Sequence, residues 1–218
     1  MIDDDTLAAQ GELHIGDPSA ELTRGERDAA VPCGDCTACC TSTQFVHIAP
    51  DEIETLARIP KALRFAAPRM PRGHVVLGFD ERGHCPMLVD GACSIYEHRP
   101  RTCRTYDCRV FPAAGIEDDD ASKHHIARRA RRWRFDHATP NDDTRHAAAA
   151  AAATFLQEHA EGIAERDRPL TTTQLAVLAV EIHDLFLDQR ASALRLITPA
   201  EEEVAVEIAR RHSRPAVG

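Results

Sequence analysis

CGDCTACC (residues 33–40) and CPMLVDGACSIYEHRPRTCRTYDC (residues 85–108) hold all eight cysteines of a 218-residue chain. They set Cys33, Cys36, Cys39 and Cys40 in one tight run, and Cys85, Cys93, Cys103 and Cys108 in a second. Two cysteines separated by two residues can wrap a loop around an ion while neighbouring N–H groups point at the sulfurs. A third at the same spacing makes the signal far more specific. All eight are therefore candidate metal ligands, and buried reduced cysteines acting as small hydrophobes are the alternative.

Three cysteines at this spacing hold one face of a [4Fe–4S] cube in bacterial ferredoxins, with a distant cysteine, often followed by proline, as the fourth ligand. Here Cys85 precedes Pro86. Cys33, Cys36, Cys39 and Cys85 thus read as a ferredoxin-like set, which favours an iron–sulfur cluster slightly over zinc. Adjacent residues in an irregular chain point in roughly opposite directions, so Cys39 and Cys40 can hardly both serve one small ion. Two layouts stay open: two four-thiolate sites, or one such site with the remaining cysteines structural.

Four arginines, Arg99, Arg101, Arg104 and Arg109, lie among the last cysteines. A four-thiolate metal group carries negative charge, and buried negative charge needs donors or cations around it. Arg99 and Arg104 are the candidate cofactor-binding neighbours, with solvated helix faces as the alternative. His84 and His98 could each replace a thiolate, though the spacing requires neither.

The head CxxCxxCC, the run Cys85, Pro86, Leu88, Gly91, Cys93, the run Ile95, Tyr96, Arg99, Pro100 and the closing Cys103, Arg104, Tyr106 together resemble the YkgJ-type CxxCxxCC cysteine-cluster family. That family is described as zinc- or iron-chelating, and the same domain occurs in flagellin lysine N-methylases. The resemblance covers about 33–108 and implies a metal-chelating domain without naming a reaction.

The start of the chain, MIDDDTLAAQGELHIGD, lacks the basic segment and apolar run of a secretory signal, and no run of 18 apolar residues occurs. The expected location is the cytoplasm of a bacterium, where thiols stay reduced and dense cysteines point to metal or redox chemistry. Formal net charge is −9, so nucleic acid and membrane are not expected as partners of the whole molecule, although a local basic patch could differ. ARRARRWRFD (127–136) carries five arginines around Trp133, and a structural role is favoured for it.

The expected fold class is α+β: a small cysteine-rich metal-binding domain followed by an all-α C-terminal region. The division reads 1–30 as a flexible acidic tail with a short strand near Glu12–Ile15 as an alternative, 31–117 as the cysteine-cluster domain, 118–144 as a basic helix and linker, and 145–213 as the helical region. Strands are expected near 44–48 and 74–79, with a helix from Pro50 to Arg58. A hairpin should turn at Asp90-Gly91 and a short helix should span 97–106. Further helices are expected at 126–135, at 145–167, at 172–189 and from Thr198-Pro199 to Arg211. The helical half is the expected protein-partner surface.

No Gly-rich nucleotide loop, P-loop or serine nucleophile elbow occurs, so catalytic residues stay unassigned. The function expected is that of a metal-binding accessory, maturation or redox factor. A metal-dependent protein-modifying enzyme related to flagellin lysine N-methylases and a purely structural zinc module are the alternatives.

Overall fold

In the computed structural model, residues 13–16, 35–68, 70–137, 139–189 and 193–212 are described, with backbone alone at 13–16. They fall into two units: the described parts of Met1–Glu26, Arg109–Asp118 and Ala130–Gly218, and those of Arg27–Cys108 and Asp119–Arg129.

Strand β1 (Leu13–Gly16) belongs to the first unit, and the cysteine-bearing second unit begins with β2 (Val46–Ile48). Helix α1 (Ile53–Arg58), β3 (Arg64–Ala66) and β4 (Val75–Leu77) follow. The three strands form an antiparallel sheet in the order β2-β4-β3, with Val46 opposite Leu77 and Val76 opposite both His47 and Phe65. Alternation sends Val46, Ile48 and Leu77 inward, where they pack with Ile59 and Ile95 into a small apolar core. Cys85, Cys93 and Cys103 pack against that same core.

The Asp90-Gly91 signal produces the hairpin of β5 (Leu88–Val89) and β6 (Ala92–Cys93). Asp90 at φ 50° and Gly91 at φ 78° supply the two left-handed residues of a type I′ turn. Helix α2 (Arg101–Thr105) follows Pro100, whose fixed ring suits a helix entry. The expected helix at 50–58 opens only at Ile53, because the Glu52 carboxylate accepts the N–H of Ala49 at 2.9 Å and of Arg101 at 2.5 Å. One buried side chain thus joins the entry to α1 with the entry to α2.

In the first unit, α3 (Val110–Ala113) precedes α4 (His124–Ala130), which lies almost wholly in the cysteine-bearing unit. The expected helix at 126–135 stops at Ala130 and gives way to β7 (Trp133–Asp136), which pairs in parallel with β1, Leu13 beside Trp133. Trp, Arg and Phe suit a strand once a partner backbone is available, and that long-range pairing leaves no local period.

Helix α5 (Pro140–Glu158) starts earlier than its propensity suggests, because Asp142 accepts the N–H and the hydroxyl of Thr139 at 2.8 and 2.9 Å. Its alanines Ala148, Ala149, Ala152 and Ala153 are buried and let α6 (Thr172–Ile182) approach closely. Thr171 and Gln174 cap α6 reciprocally, the Thr171 hydroxyl accepting the Gln174 N–H and the Gln174 side chain accepting the Leu170 N–H. Strands β8 (Leu187–Asp188) and β9 (Arg195–Leu196) form a short antiparallel pair before helix α7 (Glu201–His212). That helix opens later than the Thr198-Pro199 signal, since Glu203 reaches back to the N–H of Ala200 at 3.2 Å.

The architecture is α+β, with a sheet-containing cysteine region before a helical C-terminal part. Among the described residues, no helix is long and apolar enough to cross a membrane.

Candidate metal centre

The CxxCxxCC run is shaped by short hydrogen bonds that its small polar residues make. The N–H and hydroxyl of Thr41 both donate to the Thr37 carbonyl, at 2.9 and 3.0 Å, and the Ser42 hydroxyl donates to Ala38 O at 2.8 Å. These close a tight turn. Gln44 then donates to the Cys39 carbonyl at 3.1 Å, and the Cys85 N–H donates to the Cys40 carbonyl at 2.7 Å. The last bond sets the second cysteine run directly beside the first.

The approach to Cys85 is built with equal economy. Asp80 accepts the N–H groups of Arg82 and His84 at 2.9 and 2.8 Å. The His84 N–H, more than any other group, holds the Asp80 carboxyl below its usual range. Gly83 sits at φ +79° with no room for a side chain, since a Cβ there would stand 2.1 Å from the Thr43 hydroxyl. Beyond the turn, the Leu88 N–H donates to the Cys85 carbonyl at 2.9 Å. The backbone groups of Met87 and Leu88 also pull the Cys85 thiol down against burial, an effect that favours thiolate where cysteines bind metal.

Burial pushes the Cys103 thiol well up, and the neighbouring sulfurs of Cys40, Cys85 and Cys93 add to that effect, while Arg99 opposes it. Burial also raises Cys85, against the pull of the Met87 N–H, with Cys93 and Asp80 contributing. Four thiols therefore share one electrostatic neighbourhood, Cys40 from the CxxCxxCC run and Cys85, Cys93 and Cys103 from the second.

None of Cys36, Cys39, Cys40, Cys85, Cys93, Cys103 and Cys108 forms a disulfide. Cys33 lies outside the described residues. Among the described residues, no three His, Cys, Asp or Glu side chains stand close enough together to hold a single ion.

The arginines divide. Arg99 lies 4.0 Å over the Tyr96 ring, donates to the Tyr96 carbonyl at 2.9 Å, and acts electrostatically on Cys103. The Nε of Arg104 is buried with no hydrogen-bond acceptor among the described residues. A guanidinium donor left without an acceptor in the helix that carries Cys103 suits an anionic thiolate–metal group. Arg101 instead pairs with Asp51 at 2.6 Å, and Arg109 lies over Trp133 in the other unit. His98 bonds Glu54 at 3.2 Å, and His84 contributes its backbone to the Asp80 turn. Sequence reasoning overlooked Glu52 and the Met87 and Leu88 N–H groups. The Cys-Pro-x-Leu pattern was the available signal for the last two.

The donor chemistry fits a thiophilic metal: soft sulfur ligands, backbone N–H groups on Cys85, and cationic donors alongside. Metal binds thiolate, yet burial holds Cys85 and Cys103 protonated. Metal uptake should therefore displace about one proton from each of them, and affinity should rise by about tenfold per pH unit for each proton displaced. Titrating the metal-free chain with zinc in weakly buffered indicator solution measures this. Uptake with no proton release would show that these two thiols are not ligands.

Residues 32–130 match the family model CxxCxxCC, described as a “Putative zinc- or iron-chelating domain”. No curated protein and no solved structure matches the chain. Over residues 32–130 the chain is thus similar to the CxxCxxCC family, whose description is that of a zinc- or iron-chelating domain.

Proposed function

We propose that the protein holds a [4Fe–4S] cluster on Cys40, Cys85, Cys93 and Cys103 and serves as an accessory, maturation or redox factor. The carrying observation is that Cys85, Cys93 and Cys103 pack against one small core while the Cys85 N–H donates to the Cys40 carbonyl at 2.7 Å. Zinc bound by four thiolates at about 2.3 Å needs sulfurs tightly gathered around one point. A cube of four irons takes one cysteine at each iron, and a cysteine followed by proline, as Cys85 is by Pro86, is a ligand such clusters recruit from a distance, which favours the cluster.

Within this reading the chain's own residues have distinct tasks. The backbone N–H groups of Met87 and Leu88 offset part of the cost of charge on Cys85 once metal displaces its proton, and Arg99 does the same for Cys103. Arg104 supplies a donor to the sulfur shell. Cys33, Cys36, Cys39 and Cys108 are the reserve from which a second thiolate site would draw. The helical C-terminal part selects a protein partner, in the cytoplasm of a bacterium. When bound, the cluster would supply a one-electron couple or a transferable metal group.

Anaerobic purification followed by iron, acid-labile sulfide and zinc analysis tests the reading. About four irons and four sulfides per chain are expected. A chain holding only zinc under those conditions would overturn the cluster and leave the structural zinc module. A colourless protein with no redox couple would exclude the redox role.

A further inference from the structure

Between residues 55 and 79 the chain carries Arg58, Lys61, Arg64, Arg69 and Arg72 and no Asp or Glu, although its net charge is −9. Arg69 lies outside the described residues. Arg58, Lys61, Arg64 and Arg72 make no ion pair among the described residues, whereas Arg82, Arg101 and Arg210 are matched to Asp80, Asp51 and Glu207. The unmatched positive charge of the cysteine-bearing unit is concentrated in this stretch.

The same stretch supplies the edge strand β3, in which Phe65 faces away from the core and Arg64 alternates to the other side, with Lys61 and Arg72 exposed on the segments that flank it. Val46, Ile48 and Leu77 point to the core, so the alternate positions His47, Phe65 and Val76 face the other way. Phe45 precedes β2 and Phe79 follows β4, with ring centroids 5.1 Å apart. Gly78 lies beneath the rings, since a Cβ there would come 3.1 Å from Phe65 and 3.8 Å from Phe45. Phe45, Phe65 and Phe79 remain 62%, 55% and 39% exposed. Three phenyl rings left in water on one sheet face form a contiguous apolar patch of the kind that marks an interaction site.

We propose that this face binds single-stranded nucleic acid. The occupant must bring negative charge to unmatched cations and flat apolar surfaces to exposed rings. Single-stranded nucleic acid carries one phosphate and one π-face in every unit, and bases stack on aromatic side chains of any sheet that presents them beside cations. An acidic peptide brings the charge with few flat faces, and a duplex hides its bases. The acidic remainder of the chain does not forbid this, because exposed charges are largely screened beyond about 8 Å at physiological salt. The acids that flank the stretch in sequence are engaged, Glu54 by His98 and Asp80 by Arg82 and backbone N–H groups.

The test uses the full chain as purified and fluorescein-labelled oligo(U) and oligo(dT) of about 12 nucleotides, within the usual footprint of one such domain. Anisotropy at rising salt should show binding that weakens linearly in log–log form, with a slope near −3 if about four phosphates are contacted. Phe65→Ala should weaken binding about tenfold, the loss of one stacked base. The exposed pair Lys61→Glu and Arg72→Glu should weaken it further and flatten the salt slope. Val206→Ala, exposed in the other unit, should change nothing.

The near-ultraviolet tyrosine signal checks the fold of each variant, and the charge pair decides the matter if Phe65→Ala misfolds. Absence of binding at 50 mM salt, equal affinity for a duplex of the same length, or no effect of the charge pair would overturn the proposal. So would tighter binding to an acidic peptide or to phosphatidylserine vesicles than to either oligonucleotide. The proposal is independent of the metal: it survives a zinc-only result and fails on its own binding data.

Discussion

Cys103→Ser is expected to release the metal and unfold the cysteine-bearing unit while the helical unit persists. Cys103 is the thiol on which the sulfurs of Cys40, Cys85 and Cys93 all act, and it packs against the small core of Val46, Ile48, Ile59, Leu77 and Ile95. So few buried apolar side chains yield little stability by themselves. A bound structural metal contributes on the order of 10 kcal/mol in small thiolate domains, comparable with the whole stability of an ordinary domain.

The chain carries its own reporters. Both tyrosines, Tyr96 and Tyr106, lie in the cysteine-bearing unit, and the single tryptophan, Trp133, lies in the other. The helical unit buries Leu156, Ile182, Phe186, Val204 and Ile208, with Phe155 and Phe186 edge to face at 5.5 Å, and needs no cysteine for that core. The expected result is loss of the tyrosine near-ultraviolet bands with Trp133 emission and most helical circular dichroism retained. Chelation should act in the same direction. Full metal content with unchanged tyrosine bands would make Cys103 a packing thiol. Collapse of both units together would show that they fold as one body and would defeat the division of the chain at the cysteine domain.

Features that rest on local chemistry were legible in the residue order. Asp90-Gly91 dictates a left-handed two-residue turn, so the hairpin could be placed to the residue. Thr171 with Gln174 is a reciprocal cap visible as a spacing of three, and the exchange of propensity between 44–48 and 50–58 located β2 and α1, though α1 opens only at Ile53. Features that rest on distant pairing were not. Trp133–Asp136 is a strand because Leu13–Gly16 lies beside it, while its arginine-rich approach reads as helix.

Spacing likewise singled out the cysteines as candidate metal ligands but could not rank Cys39 against Cys40. That depends on which carbonyl of the run receives the N–H of Cys85, forty-five residues on from Cys40. The phenylalanine face was invisible for the same reason. Phe45, Phe65 and Phe79 become neighbours only when β4 runs between β2 and β3.

Glu52→Ala should be the most damaging change away from the cysteines, costing about 3–5 kcal/mol of the stability of this unit. The side chain is buried, and its two oxygens accept the N–H groups of Ala49 and Arg101. Hydrogen bonds to a charged acceptor contribute about 1.5–3 kcal/mol each, and truncation removes the acceptor from two part-buried donors. The consequence extends to the metal, because Arg101 opens the helix that carries Cys103. The Thr102 hydroxyl, donating to the His47 carbonyl at 2.8 Å, and the Arg101–Asp51 pair would still hold the start of that helix.

Glu52→Gln keeps one accepting oxygen and turns an NH2 group toward the other donor, so about half the loss is expected. Urea unfolding followed by the tyrosine bands measures both variants, with metal retention as the second readout. A Glu52→Ala protein within about 1 kcal/mol of the parent, with its metal held as tightly, would show that the entries to α1 and α2 are fixed by other contacts. Comparable destabilisation by Ala and Gln would instead assign the effect to the charge of the carboxylate.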